Sequence, residues 1–349
     1  MPFHVQQDED LEKVRPEATE LLQSTRPLPQ PPGRFDWLYR DNPDGPAVFW
    51  SVREADSGEL AGFTVALPRR MLVDGKCLRA WNCADFSVRQ RFRTLGVALK
   101  LRRAATEGVE AGQADFLYAH PNERMEVVHQ KVGHKTVGPL VRLAKVLRAD
   151  GYVRQRIHLP LLASLVGLVT DPLLELWSAE RRHRPSYETR VVSSCSFDER
   201  FDELFDEGRA VRPVIGVRDA RYLNWRHARN PFGQTDAVLA ERGGRLRGYA
   251  LFQIEGGVAH LRDVFAAVDE AILRDLLAAL VRHARAAGLE GLSAVMLEGH
   301  PGVPVLEDFG FVRRVQLPHL YSYAAASGPW RASLAAAGNW FLTAGDRDV

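Results

Sequence analysis

The chain has 349 residues, 46% hydrophobic and 26% charged, so it can bury a sizeable core and is neither a disordered segment nor a small cross-linked fold. At about 150 residues per domain, that length suggests two domains. Lys and Arg number 46 against 44 Asp and Glu, and a net charge of +2 does not point to a nucleic-acid partner. Cys77, Cys83 and Cys195 form no CxxC pair, which argues against a disulfide framework or a zinc knuckle; no metal is expected, and a reducing cytoplasm is the expected setting. The opening MPFHVQQDEDLEKV lacks the basic and then apolar run of a secretory signal.

In chain order, the first marked element is residues 35–43, FDWLYRDNP, with Trp37 five positions before Asn42-Pro43. The run from Ala47 to Leu67 reads as a hairpin around Gly58, and Leu78–Val88 as a further strand. An amphipathic helix is predicted from about Gly96 to Thr106, then a short strand over Ala114–His120, then a helix beginning near Asn122 and closing at Gly133. From His158 to Trp177 the chain is nearly long and apolar enough to span a bilayer, but Pro160, Asp171, Pro172 and Glu175 interrupt it. An apolar helical connector is the preferred reading, with contact at a membrane surface as the lesser one.

The same succession then recurs. Residues 223–231, LNWRHARNP, place Trp225 five positions before Asn230-Pro231, and a hairpin around Gly243-Gly244, a strand, a helix from Glu270, a strand and a final turn ending DFGF follow in the same order. Duplication explains both the motif and its surroundings. The expected fold class is α/β (α+β): two tandem halves, each with its own mixed, mostly antiparallel sheet flanked by helices. The expected boundaries are 1–148 for the first half, 149–187 for the connector, 188–325 for the second half and 326–349 for a C-terminal tail.

The segment DFSVRQRFRTLGVALKLRRAATEG, residues 85–108, runs from strand through a tight loop into a helix start. Such a turn aims backbone N–H groups and the positive end of a helix dipole at one point, which suits a phosphate, and Gly96 allows close approach. Arg102 and Arg103 read as a solvated helix face. The pattern Arg93-x-x-Gly96-x-Ala98, preceded by Val88 and Phe92, resembles the acyl-CoA pyrophosphate loop of the GNAT superfamily of N-acyltransferases. Residues 118–134, YAHPNERMEVVHQKVGH, are similar to that family's next strand and helix, with His134 where Phe is usual.

The resemblance implies tandem GNAT-like halves and the following site. Phe86, Ser87 and Val88 would hold the acyl carbonyl and the pantetheine arm, and Arg93, Thr94, Leu95, Gly96, Val97 and Ala98 the pyrophosphate. Asn122 would hydrogen-bond the pantetheine or serve as an ordinary helix N-cap. In the second half Asp269 and Glu270 stand where the phosphates would lie and would repel them, so one cofactor site is expected, in the first half. His129 occupies the position of the family's usual tyrosine acid, Tyr118 competes for that role, and Asp85 is the candidate base, with His120 and Glu123 behind it. The implied activity is transfer of an acyl group, acetyl first, from acyl-CoA to a primary amine on a small molecule or peptide, directly within a ternary complex. A non-catalytic CoA-binding scaffold is the alternative, and an aminoacyl-tRNA-dependent transferase fits less well because the loop is intact. Trp37, Tyr39, Trp81, Tyr222 and Trp225 are the aromatic side chains available to line a cleft between the halves, or to act as packing anchors.

Overall fold

The computed structural model describes residues 3–148, 178–266 and 269–347, so the apolar run from His158 to Trp177 lies outside the described residues. Among the described residues, no helix is long and apolar enough to cross a membrane.

The first half runs β1 (Phe3–Asp8), α1 (Leu11–Thr25), a π-helical turn (Asp36–Arg40), β2 (Val48–Glu54), β3 (Leu60–Val73), β4 (Lys76–Val88), α2 (Leu95–Glu110), β5 (Phe116–Ala119), α3 (Glu123–Lys131) and β6 (Lys135–Val146). A short helix α4 (Ala179–Arg182) precedes the second half. That half runs β7 (Glu188–Val192), α5 (Glu199–Gly208), β8 (Val214–Gly216), α6 (Ala220–Leu223), a second π-helical turn (Asn224–Ala228), β9 (Asp236–Arg242) and β10 (Arg245–Glu255). It continues through β11 (Val258–Ala266), α7 (Glu270–Ala286), β12 (Gly291–Leu297), α8 (Gly302–Asp308) and β13 (Val312–Tyr323), then α9 (Arg331–Ala335) and β14 (Trp340–Phe341). Apart from the inserted β8 and α6, the order repeats, and each half opens with a strand and a helix.

The half-sheets are fused into one. The strand order is β1-β2-β3-β4-β5-β13-β6-β12-β11-β10-β9-β7, with β8 bridging β3 and β14. β6, last strand of the first half, lies antiparallel beside β12, while β13, last of the second, lies beside β5. The two exchanged strands also pair with each other. Each half thus closes its sheet with the other's final strand, which leaves no unpaired edge at the join. Where two separate sheets were expected, strand exchange joins them.

The duplicated tryptophans meet across this join. Trp37 Nε1 donates to the carbonyl of Trp225 at 2.7 Å, Trp225 Nε1 donates to the carbonyl of Trp37 at 2.6 Å, and the rings stack with centroids 5.5 Å apart. Both are buried in an apolar cluster that also holds Tyr39 and Tyr222. These aromatics are therefore packing anchors between the halves, and Trp81 is a buried anchor inside the first half, against Gly108. Trp37→Phe keeps most of the apolar contact but leaves the buried Trp225 carbonyl without its donor, so it is expected to cost about 1–3 kcal/mol in denaturant unfolding. Trp225→Phe should cost a similar amount, and the two losses should not add.

Candidate active site

β4 pairs with β3 along its length, but with β5 only through Ala80–Cys83, in parallel with Phe116–Ala119. Just past that point the register with β3 slips between Ala84 and Phe86, which makes Asp85 the extra residue of a β-bulge, with φ +26°. Beyond the bulge, Phe86–Val88 have no strand partner on the β5 side among the described residues, so a polar edge of backbone is available there. This splay of β4 from β5 falls at Phe86, Ser87 and Val88, the residues that the resemblance assigns to the acyl carbonyl and the pantetheine arm.

Asp85 itself is occupied. Arg26 and Arg34 each donate to it at 2.7 Å, one to each carboxylate oxygen, and the Tyr39 hydroxyl donates at 2.5 Å. With Arg34 buried beside it, Asp85 is the counter-ion that holds the bulge in place, and it has no oxygen free of an internal donor. Its chemistry is that of a positioning anion more than of a free base. Asp85→Ala leaves the Arg34 charge buried without its carboxylate, and is expected to cost about 3–5 kcal/mol in equilibrium unfolding.

A 3-10 turn over Gln90–Phe92 leads from β4 to α2. Thr94 caps the helix, its hydroxyl accepting from the Val97 N–H at 3.4 Å, while Arg93 Nε donates back to the Val88 carbonyl at 3.1 Å and fixes the entry angle. The N–H groups of Leu95 and Gly96 have no partner among the described residues, as the first turn of a helix dictates. A Cβ placed on Gly96 would meet nothing nearer than Thr94 Oγ1 at 3.9 Å, so the turn faces open space. An anion fits there. In the second half the corresponding position is filled by the chain itself: the Asp269 carboxylate accepts from the Ala271 N–H at 2.8 Å and from the Tyr187 hydroxyl at 2.9 Å.

Between the splay and the second half lies a cleft of about 600 Å³. Asp85, Phe86, Asn122 and His129 reach it from the first half, and Arg226 and Arg262 from the second. Asn122 caps α3 by accepting from the Met125 N–H at 3.1 Å, which leaves its amide NH₂ able to donate into the cleft, so the two roles weighed for it are compatible. The C-terminal segment forms part of the wall through Ala344, Gly345 and Arg347. The sequence showed only an ordered tail there. What holds it is long-range: β14 pairs with β8, and Asn82 and Tyr118 both donate to the Asp346 carbonyl. Tyr118 is thereby committed to the tail, buried, with its hydroxyl tied rather than presented to the cleft.

His129 is buried at the cleft wall, and its Nδ1 lies 2.8 Å from Nδ1 of His134. Burial first, then the charge of Arg102, holds the His129 ring well below the usual imidazole range, and the same two causes hold His134 at about 3. Both rings are neutral at physiological pH. His134 Nε2 is buried without a partner, which is cheaper for a lone pair than for an N–H, so the shared proton belongs on His134 Nδ1. His129 then carries its proton on Nε2 as a neutral N–H donor. His120 lines the same cleft with both ring nitrogens unpartnered, held neutral at about 3 by burial and by Arg347.

Arg102 departs from the expected solvated face. It is only 3% exposed, its guanidinium lies 5.5 Å from the centre of the Phe86 ring, and Nε and Nη1 have no partner among the described residues, whereas its neighbour Arg103 is exposed as expected. Helical spacing alone could have flagged it, since Arg102 follows Ala98 by four and Leu101 by one on the sheet-facing side.

No family model and no curated protein matches this sequence. Solved structures do match its fold. A conserved Enterococcus faecalis V583 protein superposes with a TM-score of 0.66 at 9% identity, over 93% of this chain and 72% of its own. A GCN5-related N-acetyltransferase from Anabaena variabilis gives 0.63 at 11% identity, over 93% and 73%. The chain has the GNAT fold. Saccharomyces cerevisiae N-myristoyltransferase, solved with bound myristoyl-CoA, shares it with a TM-score of 0.61 at 13% identity, over 94% and 81%. In this GNAT fold the strand splay, the bulge at Asp85 and the helix start at Thr94 all belong to the first half, and Asp85 and Phe86 line the cleft.

Proposed function

We propose that the protein is an acyl-CoA-dependent N-acyltransferase, with acetyl-CoA as the first candidate donor and one cofactor site, in the first half. The observation that carries this reading is the conjunction of an unpaired β4 edge at Phe86–Val88, whose Phe86 lines a cleft large enough for a second substrate, with a free helix N-terminus at Leu95–Gly96 in the same strand-to-helix connection. Arg93 to Ala98 would take the pyrophosphate, and the backbone of Phe86 to Val88 with the Asn122 amide would take the pantetheine arm. Self-capping at Asp269 supports a single site.

In the reaction, the lone pair of a neutral primary amine forms a bond to the thioester carbonyl carbon, the C–S bond breaks with its electron pair going to sulfur, and one amine proton ends on the thiol. The chain supplies two things. His129 Nε2–H is a neutral donor suited to a developing oxyanion or thiolate, a role that does not need an imidazolium. The cationic cleft disfavours an ammonium and so favours the free amine, and His120, neutral and with unpartnered nitrogens, can accept a hydrogen bond from it. These assignments move the acid–base work from Asp85 and Tyr118, whose oxygens are engaged, to the histidines. The polar walls of the cleft suit a short acyl group better than a long chain.

Thiol release from acetyl-CoA across an amine panel tests the reading, with release above the hydrolytic background expected for at least one amine. His129→Phe keeps the ring volume and removes the donor, and is expected to lower kcat by about 10²-fold with little change in the affinity for acetyl-CoA. Binding of acetyl-CoA without release to any amine would instead favour the CoA-binding scaffold.

A further inference from the structure

The cleft carries positive charge that the chain does not balance. Elsewhere buried arginines have carboxylates: Arg34 has Asp85, and Arg218 lies between Asp263 and Asp346. Arg102, Arg226, Arg262 and Arg347 all line the cleft, and none has a carboxylate within 4 Å among the described residues. Asp85 is already shared by two other arginines, and the remaining cleft carboxylate, Glu255, is exposed.

Three of the four cluster at the second-half end, and Arg226 and Arg262 are held in place by hydrogen bonds. Arg226 is 6% exposed; its Nε donates to the Gly345 carbonyl at 2.9 Å and one Nη to the Arg347 carbonyl at 2.6 Å, which leaves the other Nη without a partner among the described residues. Arg262 is the extra residue of a bulge in β11, where the register with β10 slips between Leu261 and Asp263. The two halves thus use one device, each aiming a bulge residue into the shared cleft, Asp85 from one side and Arg262 from the other. Arg262 Nε donates to Gln253 Oε1 at 2.7 Å, and Gln253 is buried and anchored through its amide to the Gly233 carbonyl and to Thr235 Oγ1. Both Nη groups of Arg262 remain unpartnered among the described residues. Burial first, then the charge of Arg226 and, less, that of Arg347, make its guanidinium easier to deprotonate than usual, with the charge of Glu255 opposing them.

We propose that the acceptor is an amine bearing an oxyanion, carboxylate or phosphate, which sits between Arg226, Arg262 and Arg347 and turns its amino group toward the splay of β4 and β5. The inference rests on the acyl-transfer reading and names its substrate class. Guanidinium groups bind both oxyanions through charge-assisted hydrogen bonds, and such bonds also fix the orientation of the amine.

The test measures thiol release from acetyl-CoA with glycine, glutamate and phosphoethanolamine against the neutral isosteres glycinamide and ethanolamine. At least one oxyanion amine is expected to exceed its neutral isostere by about 10²-fold in kcat/KM, and the carboxylate and phosphate arms identify which oxyanion is used. Arg262→Gln is expected to bring that ratio within about tenfold, mainly by raising KM, and Arg262→Lys to restore part of it. Neutral amines used as well as anionic ones would overturn the inference while leaving acyl transfer in place. If acetyl-CoA is not consumed at all, calorimetric titration of the wild-type protein with glutamate and with phosphoethanolamine still decides the matter: binding that Arg262→Gln weakens tenfold or more supports the oxyanion site, and its absence removes it.

Discussion

Gly96→Glu is expected to abolish the rise in melting temperature that saturating acetyl-CoA gives the wild-type protein. At a ligand concentration of 100 Kd that rise corresponds to about 2.7 kcal/mol. The substitution should not unfold the protein. The Cβ meets open space, and a carboxylate in the first turn of α2 is favourable to the helix dipole by about 0.3–1 kcal/mol. The same carboxylate occupies the point toward which the Leu95 and Gly96 N–H groups are directed, so it both satisfies those donors and repels a diphosphate. In the second half a carboxylate already accepts from a first-turn N–H, that of Ala271, although there it comes from the N-cap Asp269. The expected result is therefore a variant with an unliganded melting temperature equal to or above the wild type and no response to acetyl-CoA. A full response would place the cofactor somewhere other than this turn, and the proposed chemistry would lose its donor.

What the sequence made legible was local. The Trp-to-Asn-Pro repeat, the strand-loop-helix turn at Arg93–Ala98 and the N-cap at Asn122 are short-range patterns, and each stands where its pattern put it. The helix predicted from about Gly96 to Thr106 runs from Leu95 to Glu110, because Thr94 caps it and the apolar face continues to Val109. Strand exchange between β6 and β13 was not legible, since pairing across the join depends on residues far apart in the chain, such as Leu140 with Leu297. The functional wall contributed by Gly345 and Arg347 was hidden for the same reason. Asp85 was legible as a carboxylate at a strand end, but its saturation depends on Arg26, Arg34 and Tyr39, which no spacing rule connects to it. The unpaired cleft arginines were invisible to a charge count, because a net charge of +2 averages a balanced surface with an unbalanced interior cleft.

Acid should unfold this protein early, below about pH 6. His120, His134 and His300 are each held neutral, at about 3, by burial first and by nearby arginines second, and the same causes hold His129 and His227 further down. The unfolded chain takes up a proton on each of these near pH 6.5, whereas the native chain does not do so until far lower pH. Between those limits the unfolded state binds more protons, so stability rises with pH; it is complete above about pH 7 and is lost as pH falls through 6.5 toward 3. Each histidine removes about 1.4 kcal/mol per pH unit in that window, so five together would remove about 10 kcal/mol by pH 5, comparable to the whole stability of a typical fold. Even two or three acting fully would lower the melting temperature steeply. Asp263, whose carboxyl is buried but held below the usual range by Arg218, adds to the loss only at still lower pH. Thermal melts from pH 7.5 to 4.5 should therefore show a flat region above pH 7 and a fall below 6.5 whose slope corresponds to at least two protons taken up on unfolding. His300→Asn removes one titrating ring while keeping a side chain that can accept from the Gly302 N–H, as His300 Nδ1 does at 2.9 Å. It should reduce the slope by about one proton. A melting temperature constant from pH 7 to pH 5 would mean that these rings take up their protons within the native fold, and the neutral-donor role of His129, which needs the same burial, would fall with it.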